Sequence, residues 1–325
     1  MSKRPSCFDQ PDIRLGISTC LLGENVRYDG GHKLDRYLVN TLGQFVEWVP
    51  VCPEVEVGLG VPRPTIRLVG DPENPRLVEP KSGADYTERM QTWAQGRLDE
   101  LAPVQLHGFV FKKNSPSSGL YRVRVYDEHG MPHRVGTGIF PREVMKRFPL
   151  LPLEEEGRLH DMGLRKNFIE RVFTYYRWTC MLDEDPTPGG LVRFHTAHKL
   201  TLMAHSPTHY RSMGRQVANA GTSLWDELTT EYGQKLMEGL KVHTTPGKNA
   251  NVLQHLMGFL KEDLTREDKA ELLDLIEDYR NQLVPLIVPL TLLRHHLRRH
   301  DVPEWVGQQV YLNPYPKELM LRNHV

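Results

Sequence analysis

Residues 13–18, "IRLGIS", read as a short β-strand, and Cys20 follows two residues after it. The next segment, "KLDRYLVNTLGQFVEW" (33–48), carries apolar residues at helical spacing, and "VPVC" (49–52) is a second short apolar run. Strand, helix and strand in this order are typical of a parallel sheet. The start of the chain therefore predicts an α/β fold with a mostly parallel sheet.

The same alternation continues through the first half of the chain and then stops. Further strands are predicted at "TIRLV" (65–69), "RLVEP" (76–80), "GFVFKK" (108–113) and "YRVRVY" (121–126), and a helix at "DYTERMQTWAQGRLDELA" (85–102). From about Pro141 onward nearly every segment has the helical period, and "DEDPTPGG" (183–190) is typical of a linker or domain border. We predict an α+β protein with an α/β domain at residues 1–150, a helical connector and linker at 151–190, and an all-α domain at 191–325.

Composition limits the class of protein. The 325 residues contain 41 basic and 41 acidic side chains, so net charge indicates no partner. The longest apolar run, "LVPLIVPLTLL" (283–293), is interrupted by Pro285 and Pro289, which predicts no membrane span. The N-terminal segment lacks the apolar stretch of a secretory signal. Four cysteines argue against a disulfide scaffold and favour a cytoplasmic location, whereas the oligomeric state is not predicted.

Three loops follow predicted strands and carry side chains suited to a site. In an open parallel sheet, ligands bind beyond the carboxyl ends of the strands. Cys20, Cys52 and the pair Ser117 and Ser118 each lie just past such a strand, so neighbouring strands would bring them to one rim. Any one of these loops alone is better explained as a solvated turn, because Gly, Pro, Asp and Ser dominate turns, and it is the three loops at the same end of one sheet that favour a site. The polar residues of these loops include Arg27, Asp29, Glu54, Arg63, Lys112, Lys113 and Ser115.

The thiols by themselves do not define a metal site. Zinc requires four ligands, and no CxxC pair is present. An iron–sulfur cluster usually takes four thiolates, and a version with three would leave one iron open. Cys7 lies in a polar N-terminal segment and Cys180 in the helical stretch "FTYYRWTCML", so we predict that neither is a ligand.

The loops resemble a known family. The segments "ISTCLLGENVRYDGGHK" (17–33), "PVCPEVEVGLGVPRPTIRLV" (50–69) and "FKKNSPSSG" (111–119) are similar to the motifs of the thiouracil desulfidases. The helical remainder resembles the domain often fused to them, and the two-domain members resemble a tRNA 4-thiouridine desulfidase that forms uridine. That likeness is carried by "RFHTAHKLTLMAHS" (193–206), "KNANVLQHLMGFLK" (248–261) and "VPLIVPLTLLRHHLRRH" (284–300).

The resemblance implies a 4Fe-4S cluster held by three cysteines, with one open iron. Cys20 and Cys52 match two of these ligands, but the third position is Ser118, since this loop reads "SPSSG" where the family has "SPSCG". Serine is a far weaker acid than cysteine and seldom supplies an anionic ligand. The rest of the loop keeps the family pattern, which favours a Cys-to-Ser substitution over a natural variant with altered chemistry. We expect an absent or incomplete cluster and an inactive chain.

The resemblance also implies that water attacks the carbon bearing sulfur, which requires a general base. Glu54 is the first candidate and Asp29 the second, although Asp29 is equally explained as the residue that shapes the Gly30–Gly31 turn. Ser115 or Ser117 would hydrogen-bond the base or a developing anion. The candidates for holding the thiolated uracil nucleotide are Arg27, Lys112, Lys113 and Arg63.

Charge is segregated in the helical half. The stretches 193–215 and 280–300 contain basic residues and histidines but no acid, while acids gather between them. Such surfaces typically bind phosphate, although ordinary solvated helix faces give the same pattern. A metal site at these histidines is disfavoured because carboxylate ligands are missing nearby. The predicted RNA contacts are Arg193, His195, His198, Lys199, Arg211, Arg215, Lys248, Arg294, Arg298 and Arg299.

Three functions remain open from the sequence. The leading hypothesis is a desulfidase of 4-thiouridine in tRNA, with the helical half docking the RNA. The second is the same chemistry on free thiouracil, with the helical half serving dimerisation. The third is a non-catalytic RNA-binding protein, which Ser118 makes plausible for this chain.

Overall fold

The computed structural model describes residues 12–324, so Cys7 lies outside the described part. The chain forms two compact units, Met1–Leu164 and Arg165–Val325. The strands lie in the first unit: β1 (Arg14–Ser18), β2 (Glu47–Val51), β3 (Arg67–Val69), β4 (Arg76–Val78), β5 (Gly108–Phe111), β6 (Val123–Tyr126), β7 (Pro132–Gly136) and β8 (Leu153–Glu155). The helices are α1 (Arg36–Asn40), α2 (Pro53–Glu56), α3 (Thr87–Leu101), α4 (Ile139–Arg147), α5 (Met162–Glu184), α6 (Pro188–His205), α7 (Pro207–Ala218), α8 (Trp225–Lys241), α9 (Pro246–Met257), α10 (Arg266–Arg280), α11 (Ile287–Arg299) and α12 (Glu304–Gly307).

A parallel sheet forms the centre of the first unit, with strand order β2-β1-β5-β8. Strand β1 is buried because Leu15 and Ile17 are fully enclosed, and Phe109 and Phe111 of β5 stack with ring centroids 4.2 Å apart. Gly16 is required beside Phe109, because a Cβ there would lie 2.0 Å from its ring. A smaller mixed sheet, β4-β3-β6-β7, completes the unit.

Three segments differ from the sequence prediction, and one of them is strand β7, which no predicted strand covers. The helical spacing of residues 33–48 predicts one helix, but only the short α1 and a 3-10 turn at Leu42–Gln44 form before β2 begins at Glu47. Strand β8, "LEE", falls where the helical period was predicted. Three residues with two acids show no apolar alternation, and burial of these acids depends on partners elsewhere in the chain.

The second unit is helical and has its own core. Helices α6, α7 and α9 begin alike, with a capping hydroxyl from Thr187, Ser206 or Thr245 followed by proline. The stretch "DEDPTPGG" therefore starts α6 at Pro188, and the break after α5 is short. Leucines of α6, α9 and α11 pack in one apolar cluster. The predicted α+β class, with a parallel-sheet domain and a helical half, is confirmed.

No helix within residues 12–324 has the length and apolar character needed to cross a membrane.

Candidate active site

The loops after β1, β2 and β5 meet at one edge of the parallel sheet. These strands are adjacent and parallel, with Ser18 opposite Val51 and Ile17 opposite Val110, so their carboxyl ends point the same way. The prediction that neighbouring strands bring the three loops to one rim of the sheet is confirmed. Together they line a cavity of about 540 Å³ that receives Cys20, Cys52, Glu54, Ser115 and Ser118.

The two cysteines occupy the first turn after their strands. Cys20 lies in a 3-10 turn, Thr19–Leu22, and Cys52 caps the N-terminus of α2, with Pro53 as the first helical residue. Both thiols are free and only 8% exposed. Burial raises the pKa of Cys20 to about 11 and that of Cys52 to about 12. Both are therefore protonated at neutral pH, and a metal would have to displace the protons.

The third loop presents three serine hydroxyls that touch one another. Ser115 Oγ lies 2.9 Å from Ser117 Oγ, which lies 3.3 Å from Ser118 Oγ. Ser115 Oγ also accepts a hydrogen bond from the backbone N–H of Ser118 at 3.1 Å. Glycine is required at position 119, at the end of the turn, because a Cβ there would lie 2.7 Å from the Ser115 carbonyl oxygen. This packing fixes the loop and leaves Ser117 and Ser118 buried.

Glu54 connects the second loop to the third. Its Oε1 accepts hydrogen bonds from Ser115 Oγ at 3.1 Å and Ser117 Oγ at 2.5 Å. Its Oε2 lies 3.7 Å from both the Cys52 sulfur and Nη2 of Arg63. The carboxylate thus stands beside a thiol, held by two hydroxyls, with one oxygen directed toward the cysteine. A base in this position can reach a water molecule in the cavity.

Asp29 lies apart from this group. Its side chain is 47% exposed, accepts a hydrogen bond from the Gly31 N–H at 3.1 Å and pairs with Arg27 at 3.3 Å. These contacts shape the Gly-Gly turn and lower the pKa of Asp29, chiefly through the Gly31 N–H. Asp29 is not among the residues that line the cavity, whereas Arg27 is.

The predicted cations of the site have different surroundings. Lys112 lines the cavity, and its Nζ donates to Glu156 Oε1 at 2.5 Å. The same carboxylate accepts a hydrogen bond from the backbone N–H of Lys113. Arg63 is nearly buried and donates to the carbonyl oxygens of Val26 and Gly60, both at 2.9 Å. Arg63 therefore joins two loops as well as facing Glu54.

Sequence reasoning missed the acidic strand β8 as part of the site. Glu155 accepts hydrogen bonds from the N–H groups of Leu120 and Tyr121, at 2.8 and 3.0 Å, and Glu156 holds Lys112. These carboxylates anchor both ends of the serine loop. The run "EEE" at 154–156 was a visible signal, because consecutive buried acids require partners.

Histidines of the second unit do not lie where the sequence predicted. His198 is fully buried, with Nδ1 at 2.8 Å from the Phe194 carbonyl oxygen, and His195 lies 3.1 Å from the Tyr232 hydroxyl. Burial lowers the pKa of His195 to about 4 and that of His198 to about 3. These two side chains are neutral core residues and do not contribute to a surface for RNA, because helix α6 is buried on several sides.

The other predicted RNA contacts divide into exposed and engaged side chains. Lys199 packs its Nζ 3.4 Å from the Trp305 ring centroid, and Lys248 donates to the His205 and His243 carbonyl oxygens. Arg294 is half-buried, and Arg193 is exposed but paired with Asp185. The remaining exposed arginines are Arg211, Arg215, Arg298 and Arg299.

The donor set of the cavity is incomplete for a three-thiolate cluster. Cys20 and Cys52 supply two sulfurs, and the third position carries the Ser118 hydroxyl. Within the described residues, no group of three or more His, Cys, Asp or Glu side chains is arranged to hold a metal ion. A hydroxyl seldom replaces a thiolate on iron. The residues present therefore do not fit a cluster that needs three thiolates.

Two regions of the chain match families of known proteins. Residues 15–156 match the family described as 2-thiouracil desulfurase, and residues 199–316 match a family of unknown function, DUF1722. The uncharacterised protein YbgA of Escherichia coli (strain K12) is 28% identical over 156 residues, covering 47% of this chain and 90% of that protein. A solved 4Fe-4S-dependent thiouracil desulfidase is 27% identical, covers 46% of this chain and 94% of its own, and aligns with a TM-score of 0.38.

Proposed function

We propose that this chain, whose residues 15–156 match the 2-thiouracil desulfurase family, is built to remove sulfur from 4-thiouridine in tRNA. The reaction exchanges the thiocarbonyl sulfur for oxygen from water and releases hydrogen sulfide, so it needs no oxidant or reductant. The observation that carries the proposal is the convergence of Cys20, Cys52, Ser118 and Glu54 on one cavity. Thiouracil and thiouridine share the thiocarbonyl group on which this chemistry acts.

We further propose that the Ser118 form is inactive. With cysteine at position 118, three thiolates would face the cavity, and a bound 4Fe-4S cluster would supply a Lewis-acid iron for the substrate sulfur. With serine, only Cys20 and Cys52 offer sulfur. The chain as it stands should hold the cluster partially or not at all.

Glu54 is proposed as the general base. The hydrogen bonds from Ser115 and Ser117 hold Oε1, and Oε2 remains near the Cys52 sulfur, where a water molecule could give up its proton. Asp29 is a weaker candidate because it lies outside the lining and is occupied by its own turn. Lys112, Lys113 and Arg27 line the same cavity and would hold the nucleotide.

The second unit is proposed to dock the RNA. Its exposed arginines include Arg298 and Arg299 at the C-terminal end of α11, where phosphate contacts would not compete with nearby acids of the same helix. Docking by this unit would make tRNA a better substrate than the free base. The free base as preferred substrate, and RNA binding without catalysis, are the alternatives that the experiment separates.

The experiment compares the chain with Ser118→Cys and, as a matched control, Ser117→Cys. Each protein is reconstituted anaerobically with iron and sulfide, and its iron content, visible absorbance and release of sulfide from thiolated tRNA, 4-thiouridine and 2-thiouracil are measured. Ser118→Cys should gain iron, colour and sulfide release together, with thiolated tRNA preferred. Ser117→Cys should gain none, because Ser117 points to Glu54 and is not among the lining residues.

Each contrary result has a definite meaning. Full iron loading and turnover by the Ser118 form would refute the inactive-form proposal. Colour without sulfide release by Ser118→Cys would refute the desulfidase. Preference for 2-thiouracil would replace tRNA by the free base as substrate.

A further inference from the structure

The second unit contains a separate cavity of about 260 Å³ that no function above uses. It lies beside the N-terminus of α9. Its polar lining includes Lys166, Thr244, Thr245, Asn249, Tyr279 and Arg322. Two of these side chains are cationic and none is acidic.

Positive charge around this cavity exceeds the negative charge that compensates it. Within the described residues, Glu170 is the carboxylate whose charge acts on both cationic lining residues, Lys166 and Arg322. Its Oε2 lies 3.2 Å from His205 Nε2 and its Oε1 4.0 Å from Arg322 Nη2. One buried carboxylate, already bonded to His205, is thus the acidic neighbour of the two cationic lining residues, Lys166 and Arg322. Buried charges without a counter-ion are costly, so the arrangement suits an anion that arrives from outside.

Arg322 has unused hydrogen-bonding capacity. Its side chain is 6% exposed, and Nη1 makes only a long contact of 3.5 Å with the Leu312 carbonyl oxygen. Nε and Nη2 are buried without a hydrogen-bond partner of ordinary length among residues 12–324, and the guanidinium carbon lies 5.1 and 5.8 Å from the ring centroids of Tyr311 and Tyr315. These two nitrogens form the edge of the guanidinium that binds phosphate or carboxylate oxygens in pairs.

Lys166 and the N-terminus of α9 add further positive charge to the lining. Lys166 Nζ donates to Thr244 Oγ1 at 3.2 Å, which leaves two of its three protons. Helix α9, of 12 residues, starts at this cavity, and its Thr245 cap accepts a hydrogen bond from the Lys248 N–H. The helix adds partial positive charge at its N-terminus.

We propose that this cavity binds a phosphate group. A phosphate carries up to two negative charges and several acceptor oxygens, which match the edge of Arg322, the ammonium of Lys166 and the start of α9. The group belongs either to a free nucleotide or to an RNA strand. The proposal does not rest on the desulfidase function, since the cavity lies entirely in the second unit.

The test uses the full chain and measures thermal unfolding and isothermal titration with inorganic phosphate, against chloride at equal ionic strength. Phosphate should raise the Tm of the parent protein, because it binds the folded state alone. Lys166→Met, Arg322→Gln and the milder Thr244→Val each remove one feature of the lining. The two charge variants should weaken phosphate binding about tenfold or more. Lys241→Met removes an exposed cation at the end of α8 and should leave binding unchanged.

The source of the phosphate is decided by two further ligands. Uridine monophosphate and a short 5′-phosphorylated RNA are titrated in competition with inorganic phosphate. Competition by the nucleotide alone identifies a small-molecule site, and competition by the RNA identifies a nucleic-acid contact. If a charge variant does not fold, the proposal is tested by phosphate binding to the parent and by weaker phosphate binding to Thr244→Val. No phosphate binding by the parent, or equal binding by all folded variants, would overturn the proposal.

Discussion

Glu54 accepts a hydrogen bond from the Ser117 hydroxyl at 2.5 Å, although the two residues follow different strands. The contact forms because β2 and β5 flank β1 in a parallel sheet, which brings their carboxyl ends to one edge. The orientation of the carboxylate beside Cys52 is thus fixed by a residue that is distant in sequence.

Glu54→Gln, made together with Ser118→Cys, should retain the cluster and lose most turnover. Glutamine keeps the shape and can still accept from Ser117, but it cannot take a proton from water. General acid–base groups contribute about 10²–10⁴-fold, and a loss of that size in kcat is expected. Asp29→Asn in the same background serves as the control and should cost little, since Asp29 lies outside the lining. Equal losses of kcat in the two variants would show that Glu54 is not specifically the general base.

The buried thiols should make stability fall at alkaline pH. Both pKa values are raised above their ordinary 9.0, to about 11 for Cys20 and about 12 for Cys52, so the folded state keeps protons that the unfolded state releases. The contribution of the two thiols to the free energy of unfolding is complete below about pH 9 and is lost as pH rises through their pKa values in the folded state. The free energy of unfolding, measured in urea at about pH 8 and about pH 10, should fall less between these pH values in the double variant Cys20→Ser, Cys52→Ser than in the parent. An identical loss in both proteins would rule out the thiols as its cause.

Glu155→Ala should destabilise the first unit. The Glu155 carboxylate accepts from the N–H groups of Leu120 and Tyr121, and its removal leaves buried donors without partners. Such donors cost roughly 1–3 kcal/mol each, so the free energy of unfolding should fall by about 2 kcal/mol or more. Glu128→Ala, at a carboxylate that is 86% exposed, should change it by less than about 0.5 kcal/mol. Similar small changes in both variants would mean that the serine loop does not depend on β8.

His198 should contribute to acid denaturation. Burial lowers its pKa from 6.5 to about 3, so between these pH values His198 is protonated in the unfolded state but neutral in the folded state. The stabilising contribution is present above about pH 6.5 and is lost as pH falls toward the folded value. His198→Asn should therefore show a shallower fall in Tm between neutral and acidic pH, even if its Tm is lower throughout. His295→Asn, at an exposed histidine, should keep the slope of the parent.

Arg298→Gln and Arg299→Gln should weaken tRNA binding if α11 docks the RNA. Each lost phosphate contact should reduce the dependence of log affinity on log salt by about one. Filter binding over a series of salt concentrations measures the affinity for tRNA and its dependence on salt. Lys261→Gln, at a side chain that is 72% exposed in the acid-rich region, is the control and should bind as the parent does. Unchanged salt dependence in the arginine variants would place the RNA elsewhere.

Much of the fold followed from local patterns. Strands β1 and β5 are almost entirely buried and helix α3 buries one face, so apolar runs and helical spacing predict them, while a short apolar run alone predicts β2. The missed strand β8 has no such pattern, and its Glu155 is buried through hydrogen bonds from Leu120 and Tyr121, more than thirty positions away. The length of α1 was overestimated because the helical spacing of 33–48 continues into β2.

The sequence by itself determined that Cys20, Cys52 and Ser118 follow strand ends, and that two of three cysteine positions carry sulfur. Only the tertiary structure decided that the loops share a cavity, that Glu54 rather than Asp29 lies in it, and that His195 and His198 are core residues. The physical reason is that a strand end and a side-chain type are local properties. Strand order, burial and the partner of each charge arise from contacts between distant segments, which one-dimensional periodicity does not encode.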